Sequence, residues 1–103
     1  SYLVDDSLGL YLVADGMGGH AGGALASRTA VQVVSEVVRR GLASIVAMPD
    51  NMAAPAILEL LGAAASEASA AIFDRALAEP ALHGMGTTLC GMLIYGDRGF
   101  VVH

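Results

Sequence analysis

A short apolar segment, residues 10–14, ends in a single carboxylate, Asp15, and five of the next eight residues are glycine. Glycine costs backbone entropy, so such a cluster indicates backbone that adopts positive φ or lies close against another group. A carboxylate beside peptide groups with little side-chain cover offers the oxygen ligands that Mg²⁺, Mn²⁺ and Ca²⁺ prefer. Taken alone, the stretch predicts either a site for a metal ion or phosphate, or a plain turn between a strand and a helix.

Two known phosphate-binding loops fit this glycine-rich stretch poorly. The P-loop ends in Gly-Lys-Ser/Thr, and the segment contains no lysine. The dinucleotide fingerprint requires Gly-x-Gly-x-x-Gly, and residues 16–21 have Ala21 at the last position, where alanine is tolerated. A nucleotide-binding α/β domain therefore stays an alternative, and it requires a crossover helix that leads into a parallel strand.

Composition limits the class of protein. Of the 103 residues, 55% are hydrophobic and 15% charged, which suits one small domain or part of a larger one and excludes a disordered chain. A net charge of −5 argues against a nucleic-acid surface. We identify no apolar run of membrane-spanning length and no signal peptide. The single cysteine, Cys90, is expected to fill the core, and the reducing cytoplasm is the expected compartment.

The pattern of apolar residues predicts two antiparallel hairpins. The first has strands at residues 1–4 and 9–14, joined by a turn in which Asp5 and Asp6 are expected to be solvated and not to bind a metal. The nearly continuous apolar residues of its second strand predict burial on both faces. The second hairpin begins with a strand at residues 87–95 and returns after a Gly-Asp-Arg-Gly turn.

Two helices are predicted between the hairpins. The first spans residues 23–40, with two arginines in its last turn and Gly41 in the left-handed stop position. The second spans residues 55–78, with Pro55 in its first turn. Helical spacing predicts that the inward face of the second helix consists of Leu58, Leu61, Ala65, Ala68, Ile72 and Ala76.

Three stretches carry a family resemblance. They are Leu-Val-Ala-Asp-Gly-Met-Gly-Gly-His at residues 12–20, Ala-Ser at residues 26–27, and Gly-Met-Gly-Thr-Thr-Leu at residues 84–89. In their order and spacing they resemble the metal-dependent serine/threonine protein phosphatases of the PP2C (PPM) type, in their bacterial form. The resemblance covers essentially the whole chain. It implies an α+β fold, the N-terminal portion of an α-β-β-α sandwich with two antiparallel sheets face to face and helices outside each.

The resemblance also implies a site for two divalent ions, Mg²⁺ or Mn²⁺. Asp15 matches the carboxylate that bridges the ions, and Gly16 matches the residue whose backbone carbonyl binds one of them. A water activated by the two ions would attack the phosphorus of a phosphoserine or phosphothreonine ester. Gly86, Thr87 and Thr88 match a motif expected to support the metal centre, by orienting a ligand or by packing alone.

The resemblance matches only the first part of the family's domain, so residues 1–103 are expected to be an incomplete phosphatase domain. Another metal-binding carboxylate is expected before Ser1, and a Gly-Asp-Ser-Arg segment and further aspartates after His103. Met17 stands where eukaryotic members have a histidine proposed as general acid, and His20 is not that residue, so the proton donor is unassigned.

The expected function is therefore that of a longer parent protein. The parent is expected to hydrolyse phosphoserine and phosphothreonine on proteins in the cytoplasm, as a signalling enzyme opposite a serine/threonine kinase, without nucleic acid and without a membrane segment in this part. The chain alone is expected to be inactive. One alternative, besides the nucleotide-binding domain, is a catalytically dead phosphatase-like module that binds a partner.

Overall fold

The chain folds as two antiparallel hairpins with two long helices between them in the computed structural model, which describes residues 1–17 and 20–103. The strands β1, β2, β5 and β6 form one sheet in the order β1-β2-β5-β6, and β3 pairs with β4. In chain order the elements are β1 (Tyr2–Asp5), β2 (Leu10–Val13), β3 (Gly16–Met17), α1 (His20–Ile45), α2 (Asp50–Ala78), a 3-10 turn (Pro80–Leu82), β4 (Gly86–Thr87), β5 (Cys90–Tyr95) and β6 (Arg98–Val102).

All strand pairs in the described part of the chain are antiparallel. The predicted α+β arrangement of two hairpins and two helices is therefore confirmed. The parallel strand that a nucleotide-binding α/β domain requires does not occur within residues 1–17 and 20–103. Gly18 and Gly19, in the middle of the glycine-rich stretch, lie outside the described residues.

One face of the four-stranded sheet packs against the helices. Leu10 and Leu12 of β2 and Leu93 of β5 are fully buried, in one core cluster with Val34 and Val38 of α1. Side chains alternate along a strand, so the residues between them point to the opposite face. The prediction that the second strand is buried on both faces is wrong here, because Val13 is 60% exposed.

The opposite face of the sheet is apolar and open in the described residues. Cys90 lies on this face and is exposed, so the prediction that it fills the core is wrong. The alternation of β5 turns Gly91 and Leu93 inward instead. The exposed apolar residues of this face are Tyr2, Val4, Val13, Met92, Ile94 and Val101.

The first helix does not end at Gly41, as its sequence predicts, but continues to Ile45. Gly41 does not have positive φ. A Cβ at this position would overlap the side chain of Leu60, so the glycine lies where α1 and α2 approach each other most closely in this part of the bundle. Arg39 and Arg40 are therefore not in the last turn, and Arg39 pairs instead with Glu36, at 3.5 Å between nitrogen and oxygen.

The second helix begins at Asp50, one turn before the predicted start, so Pro55 lies inside it. The inward positions of Leu61, Ala68 and Ile72 are confirmed, but at the start of the helix Ile57 is fully buried while Leu58, predicted to face inward, is 57% exposed. Alanine occurs on every face of α2, so the spacing of apolar residues does not by itself identify the face that packs on α1. The buried residues of α2 are Ala53, Ile57, Leu61, Ala64, Ala68 and Ile72.

By length and composition, α2 has the character of a membrane span, with a mean hydropathy of 1.5 over 18 residues. The expectation that no apolar run reaches this length is therefore wrong for α2. Core helices of soluble proteins share such a composition, and α2 packs along α1 through its stripe of buried residues.

We expect Gly41→Ala to destabilise the domain. In an open helix, alanine is favoured over glycine by up to about 1 kcal/mol, but here the added methyl group overpacks against Leu60 at a typical cost of about 1–3 kcal/mol. Chemical denaturation measures the difference. Gly62→Ala on α2 is the control, because a Cβ there has no neighbour within 4 Å, and it should be neutral or stabilising. Equal stability of the two variants would contradict the close approach.

Candidate metal centre

Asp15 lies between the end of β2 and the start of β3, with its side chain exposed. The backbone of Thr88 holds the backbone of Asp15, because the Thr88 N–H donates to the Asp15 carbonyl oxygen at 3.0 Å. The Thr88 hydroxyl lies 3.4 Å from the same oxygen, to which it donates, and 3.3 Å from the Asp15 nitrogen, from which it accepts. Within residues 1–17 and 22–103, the Asp15 carboxylate forms no hydrogen bond or ion pair. Thr88 therefore fixes the backbone of Asp15 and leaves its carboxylate uncontacted.

Thr88 occupies this position because the predicted strand at residues 87–95 is interrupted. It divides into β4, which pairs with β3, and β5, which pairs with β2. Thr88 and Leu89 lie between the two short ladders, directly across from Ala14 and Asp15, which separate β2 from β3. The prediction of one continuous strand is therefore wrong, since its two ends pair with different partners.

The two threonines differ in their contacts. Thr87 pairs with Gly16 through the β3–β4 ladder, but its hydroxyl donates to the Thr88 carbonyl oxygen at 2.8 Å. The hydroxyl of Thr88, and not that of Thr87, contacts the backbone of Asp15. Of the two residues expected to support the metal centre, Thr88 is thus the one that touches a predicted ligand residue.

Gly16 leaves no space for a side chain. A Cβ built on it would overlap the backbone carbonyl of Gly23 in the first turn of α1. A Cβ on Gly23 would in turn lie 3.1 Å from the carbonyl carbon and 3.2 Å from the carbonyl oxygen of Gly16. Backbone therefore packs directly on backbone where the glycine-rich stretch enters the helix, which explains two of its glycines.

The Asp5–Asp6 turn behaves as a turn. One carboxylate oxygen of Asp5 accepts hydrogen bonds from the Ser7 hydroxyl at 2.7 Å and the Leu8 N–H at 3.1 Å. These bonds, the one from Ser7 foremost, lower the pKa of Asp5. Asp6 accepts a hydrogen bond from the Tyr11 hydroxyl at 2.7 Å, which raises the pKa of Tyr11. Both carboxylates accept hydrogen bonds from within the β1–β2 hairpin.

Ser27 was matched only as part of a motif, and the structure gives it a definite contact. It is buried, its hydroxyl lies 3.0 Å from that of Ser1, and it donates to the Ala24 carbonyl oxygen at 3.2 Å. Ser1 and Ala14 also pair through their backbones, with the Ala14 N–H donating to the Ser1 carbonyl oxygen at 2.8 Å. Ser27 therefore connects the start of the sheet to α1. This contact could not be predicted from the sequence, where Ser27 is only a hydroxyl residue within a helix.

A groove of about 910 Å³ lies on the other side of the threonines, between α2 and the segment before β5. Phe73 and Leu77 of α2 line it, together with His83 and Thr88, while Asp15 does not. The groove is mainly apolar and contains no acidic side chain in its lining, so its residues do not form a site for a divalent ion.

The donor atoms at Asp15 and Gly16 fit a hard divalent cation, because both a carboxylate and a peptide carbonyl are oxygen ligands. They do not complete such a site. In the part of the chain that the structure describes, no three His, Cys, Asp or Glu side chains come together as metal ligands. Asp15 and Gly16 as metal ligands stay a prediction.

Comparison with known proteins identifies the family. The family model described as Protein phosphatase 2C matches residues 2–103. The chain is 36% identical over 94 residues to the serine/threonine protein phosphatase PstP of Mycobacterium tuberculosis, in strains CDC 1551 / Oshkosh and ATCC 25618 / H37Rv. These alignments cover 91% of this chain but 16% of the relative, so the chain spans about one sixth of the length of the curated relatives it matches.

Two solved structures agree with the fold. A crystal structure of the M. tuberculosis phosphatase PstP/Ppp has a TM-score of 0.78 at 33% identity, covering 100% of this chain and 38% of that one. The catalytic domain of PstP in complex with two manganese ions has a TM-score of 0.77 at 33% identity, covering 100% and 39%. The fold implied by the sequence resemblance, the first portion of this domain, is confirmed. The chain belongs to the protein phosphatase 2C family.

Proposed function

We propose that the parent of this chain is a metal-dependent protein serine/threonine phosphatase, in which the Asp15 carboxylate bridges two ions of Mg²⁺ or Mn²⁺ and the Gly16 carbonyl binds one of them. The observation that carries the proposal is an exposed carboxylate, uncontacted by the side chains of residues 1–17 and 22–103, on a backbone that Thr88 holds in place. The similarity to a PstP catalytic domain with two manganese ions supports the choice of metal.

In this proposal the chain's own residues bind and orient. Asp15 presents its charge without first breaking a hydrogen bond or ion pair to residues 1–17 or 22–103, and its fixed backbone reduces the reorganisation needed at binding. Gly16 is adjacent to Asp15 in the chain, pairs with Thr87 of β4, and has its carbonyl group against Gly23 of α1. When bound, two divalent ions supply a nucleophilic water near neutral pH and offset charge on the phosphoryl oxygens.

We further propose that residues 1–103 alone are inactive, because one carboxylate and one carbonyl do not hold two ions. The register of the sheet supports a position for a second carboxylate. Ser1 pairs with Ala14, so on the adjacent strand a residue that precedes Ser1 in the parent would lie beside Asp15. The acidic motif expected from the resemblance would then bring its carboxylate to the same place.

Phosphate release from a phosphothreonine peptide, with and without Mn²⁺, tests these proposals on the parent domain and on residues 1–103. We expect Mn²⁺-dependent release by the parent and none by the shorter chain. Release by residues 1–103 would contradict the incomplete site. Release by the parent after complete chelation would contradict a metal-dependent mechanism. A folded, inactive parent with Mn²⁺ present would favour the catalytically dead, partner-binding module.

The partners proposed are phosphorylated proteins, with the parent acting opposite a serine/threonine kinase in cytoplasmic signalling. The acidic balance of the chain, −5, supports the absence of a nucleic-acid partner. The packing of one face of α2 on α1 supports a helix of the core and not a membrane span, although only 28% of its 18-residue apolar window is buried.

We expect Thr88→Val to weaken Mn²⁺ binding by the parent domain about tenfold, since groups that orient ligand residues commonly contribute 10–100-fold to metal affinity. Valine keeps the shape of threonine and removes only the hydroxyl that contacts the Asp15 backbone, at a stability cost of about 1 kcal/mol. Calorimetric titration with Mn²⁺ measures the affinity.

Two controls separate the hydroxyl of Thr88 from packing. Thr88→Ser keeps the hydroxyl and should retain most of the affinity. Thr87→Val removes a hydroxyl that bonds the Thr88 carbonyl and not Asp15, so its effect should be smaller. Wild-type affinity in Thr88→Val would show that this residue acts by packing alone.

A further inference from the structure

Two glycines, Gly23 of α1 and Gly16 of β3, lie directly against each other. A Cβ at Gly23 would lie 3.1 Å from the Gly16 carbonyl carbon and 3.2 Å from both the Gly16 carbonyl oxygen and the Met17 nitrogen. All three of these neighbours are backbone atoms of β3. Separations in this range are tighter than nine in ten real Cβ contacts, so one of the two segments would have to move by a few tenths of an ångström.

The backbone conformation of Gly23 does not itself require glycine. Its φ is not positive, and it lies within α1, where alanine has the higher helix propensity. What excludes a side chain is the carbonyl group of Gly16, which is the predicted metal ligand. The packing of Gly16 against position 23, and not the backbone conformation of α1, therefore accounts for a glycine there.

Neither of two other helical glycines faces the metal-binding segment in this way. A Cβ at Gly22 would meet the Cβ of Met85 at 3.3 Å, which is a side-chain contact with the segment before β4. A Cβ at Gly62 would have no neighbour within 4 Å. Glycine-to-alanine substitutions at Gly22, Gly23 and Gly62 would therefore place the same methyl group against a side chain, against the backbone of β3 and in open space.

We propose that Gly23 is a positioning residue of the metal site, which sets the orientation of the Gly16 carbonyl and, one residue earlier, of the Asp15 carboxylate. This inference rests on the proposed function, because it assumes that these two groups bind the metal. Gly23 touches no substrate in this proposal. It acts by allowing α1 to lie directly on β3.

The far side of β3 explains why a small displacement matters. Gly16 and Met17 pair with Thr87 and Gly86, and Thr88 holds the Asp15 peptide. With β3 held from that side, a methyl group at position 23 is accommodated by turning the Gly16 peptide or by lifting the start of α1. Metal ligand distances are specified to within about 0.2 Å, so a shift of a few tenths of an ångström in the carbonyl is enough to weaken binding.

The test is a calorimetric titration of the parent domain with Mn²⁺, in parallel with thermal melting of the metal-free protein. We expect Gly23→Ala to weaken Mn²⁺ binding at least tenfold and to shift the backbone amide resonance of Met17 in the metal-free state. Gly22→Ala, whose Cβ would meet Met85 and not β3, should weaken Mn²⁺ binding less than Gly23→Ala does.

Gly41→Ala is the matched control for lost stability, because it overpacks the α1–α2 contact away from the site. It should lower the melting temperature and leave the Mn²⁺ affinity unchanged. Wild-type Mn²⁺ affinity in Gly23→Ala would overturn the proposal. The proposal would also be overturned if Gly41→Ala lost as much Mn²⁺ affinity as Gly23→Ala at an equal drop in melting temperature. The loss of affinity would then follow from lower stability and not from the metal site.

Two further outcomes are decided by the same titrations. Should Gly23→Ala not fold in buffer alone, its titration with Mn²⁺ is repeated in sucrose, which favours the compact state, and wild-type Mn²⁺ affinity there overturns the proposal. Failure of the wild-type parent domain to bind Mn²⁺ would overturn the proposed function together with this inference, whereas normal wild-type binding with unaffected variants overturns the inference alone.

Discussion

Asp15→Asn is expected to abolish Mn²⁺-dependent phosphatase activity in the parent domain, by about a hundredfold or more, while the domain stays folded. Asparagine keeps the shape of the side chain and removes the charge that would bridge two cations. Loss of a single group that stabilises charge in a reaction commonly costs 10²–10³ in rate, and here the loss of bound metal adds to it.

The folded state should be nearly unaffected by Asp15→Asn. The Asp15 side chain is exposed, and its contacts with Thr88 use backbone atoms that the substitution retains. Exposed substitutions away from specific contacts usually change stability by less than about 0.5 kcal/mol. Activity and stability should therefore separate cleanly.

Three measurements decide this prediction: phosphate release from a phosphothreonine peptide, calorimetric titration with Mn²⁺, and thermal melting. Asp97→Asn is the control, since it removes the same charge from the exposed turn between β5 and β6 and should retain activity. Normal Mn²⁺ affinity and activity in Asp15→Asn would contradict the assignment of Asp15 as the bridging ligand.

Much of the fold could be predicted from sequence because its signals are local. Turn residues and short apolar runs indicated both hairpins, and helical spacing indicated both helices. Asp15 could be singled out because a lone carboxylate between an apolar strand and a glycine cluster is uncommon. The Gly-Thr-Thr motif could be singled out only through the family resemblance, and the contact of Thr88 with the Asp15 backbone is a finding of the structure.

The ends of the elements could not be predicted, because they depend on tertiary contacts. Gly41 has the sequence signature of a helix stop, yet it is a contact point for Leu60. Pro55 suits a first turn, yet it is exposed on the helix surface and the helix begins one turn earlier. In each case local chemistry allowed two interpretations, and packing between α1 and α2 decided between them.

Burial on the sheet was mispredicted for a related reason. Val13 and Cys90 are apolar residues in apolar surroundings of the sequence, but they lie on the face of the sheet that no helix in the described residues covers. Composition indicates that a residue suits a core. It does not indicate which elements are present to form that core.

The close contact of Gly16 with Gly23 also exceeds what the sequence shows. Five glycines in eight residues indicate either unusual backbone angles or a close approach, and they do not separate the two. The structure assigns Gly16 and Gly23 to close approach. The roles of neighbouring glycines cannot be inferred from these two, because each depends on its own surroundings.

Gly16→Ala is expected to have the largest effect on both stability and metal binding. Its Cβ would overlap the backbone carbonyl of Gly23, which cannot rotate away as a side chain can. Relief requires either the loss of β3–β4 pairing or displacement of the first turn of α1. We expect the free energy of unfolding to fall by about 2–3 kcal/mol, at the upper end of overpacking costs.

Gly86→Ala is the matched control for Gly16→Ala, because Gly86 lies opposite Met17 in the same short ladder and its Cβ would meet only the Met17 side chain, at 3.8 Å. Chemical denaturation should show a much smaller loss of stability for Gly86→Ala, and Mn²⁺ titration should show no measurable binding for Gly16→Ala. Equal stabilities of the two variants would contradict the backbone contact. A divalent ion requires its ligands in a defined geometry, so a displaced Gly16 carbonyl could not bind it normally. Wild-type Mn²⁺ affinity in Gly16→Ala would therefore show that the contact with Gly23 does not hold this carbonyl in place.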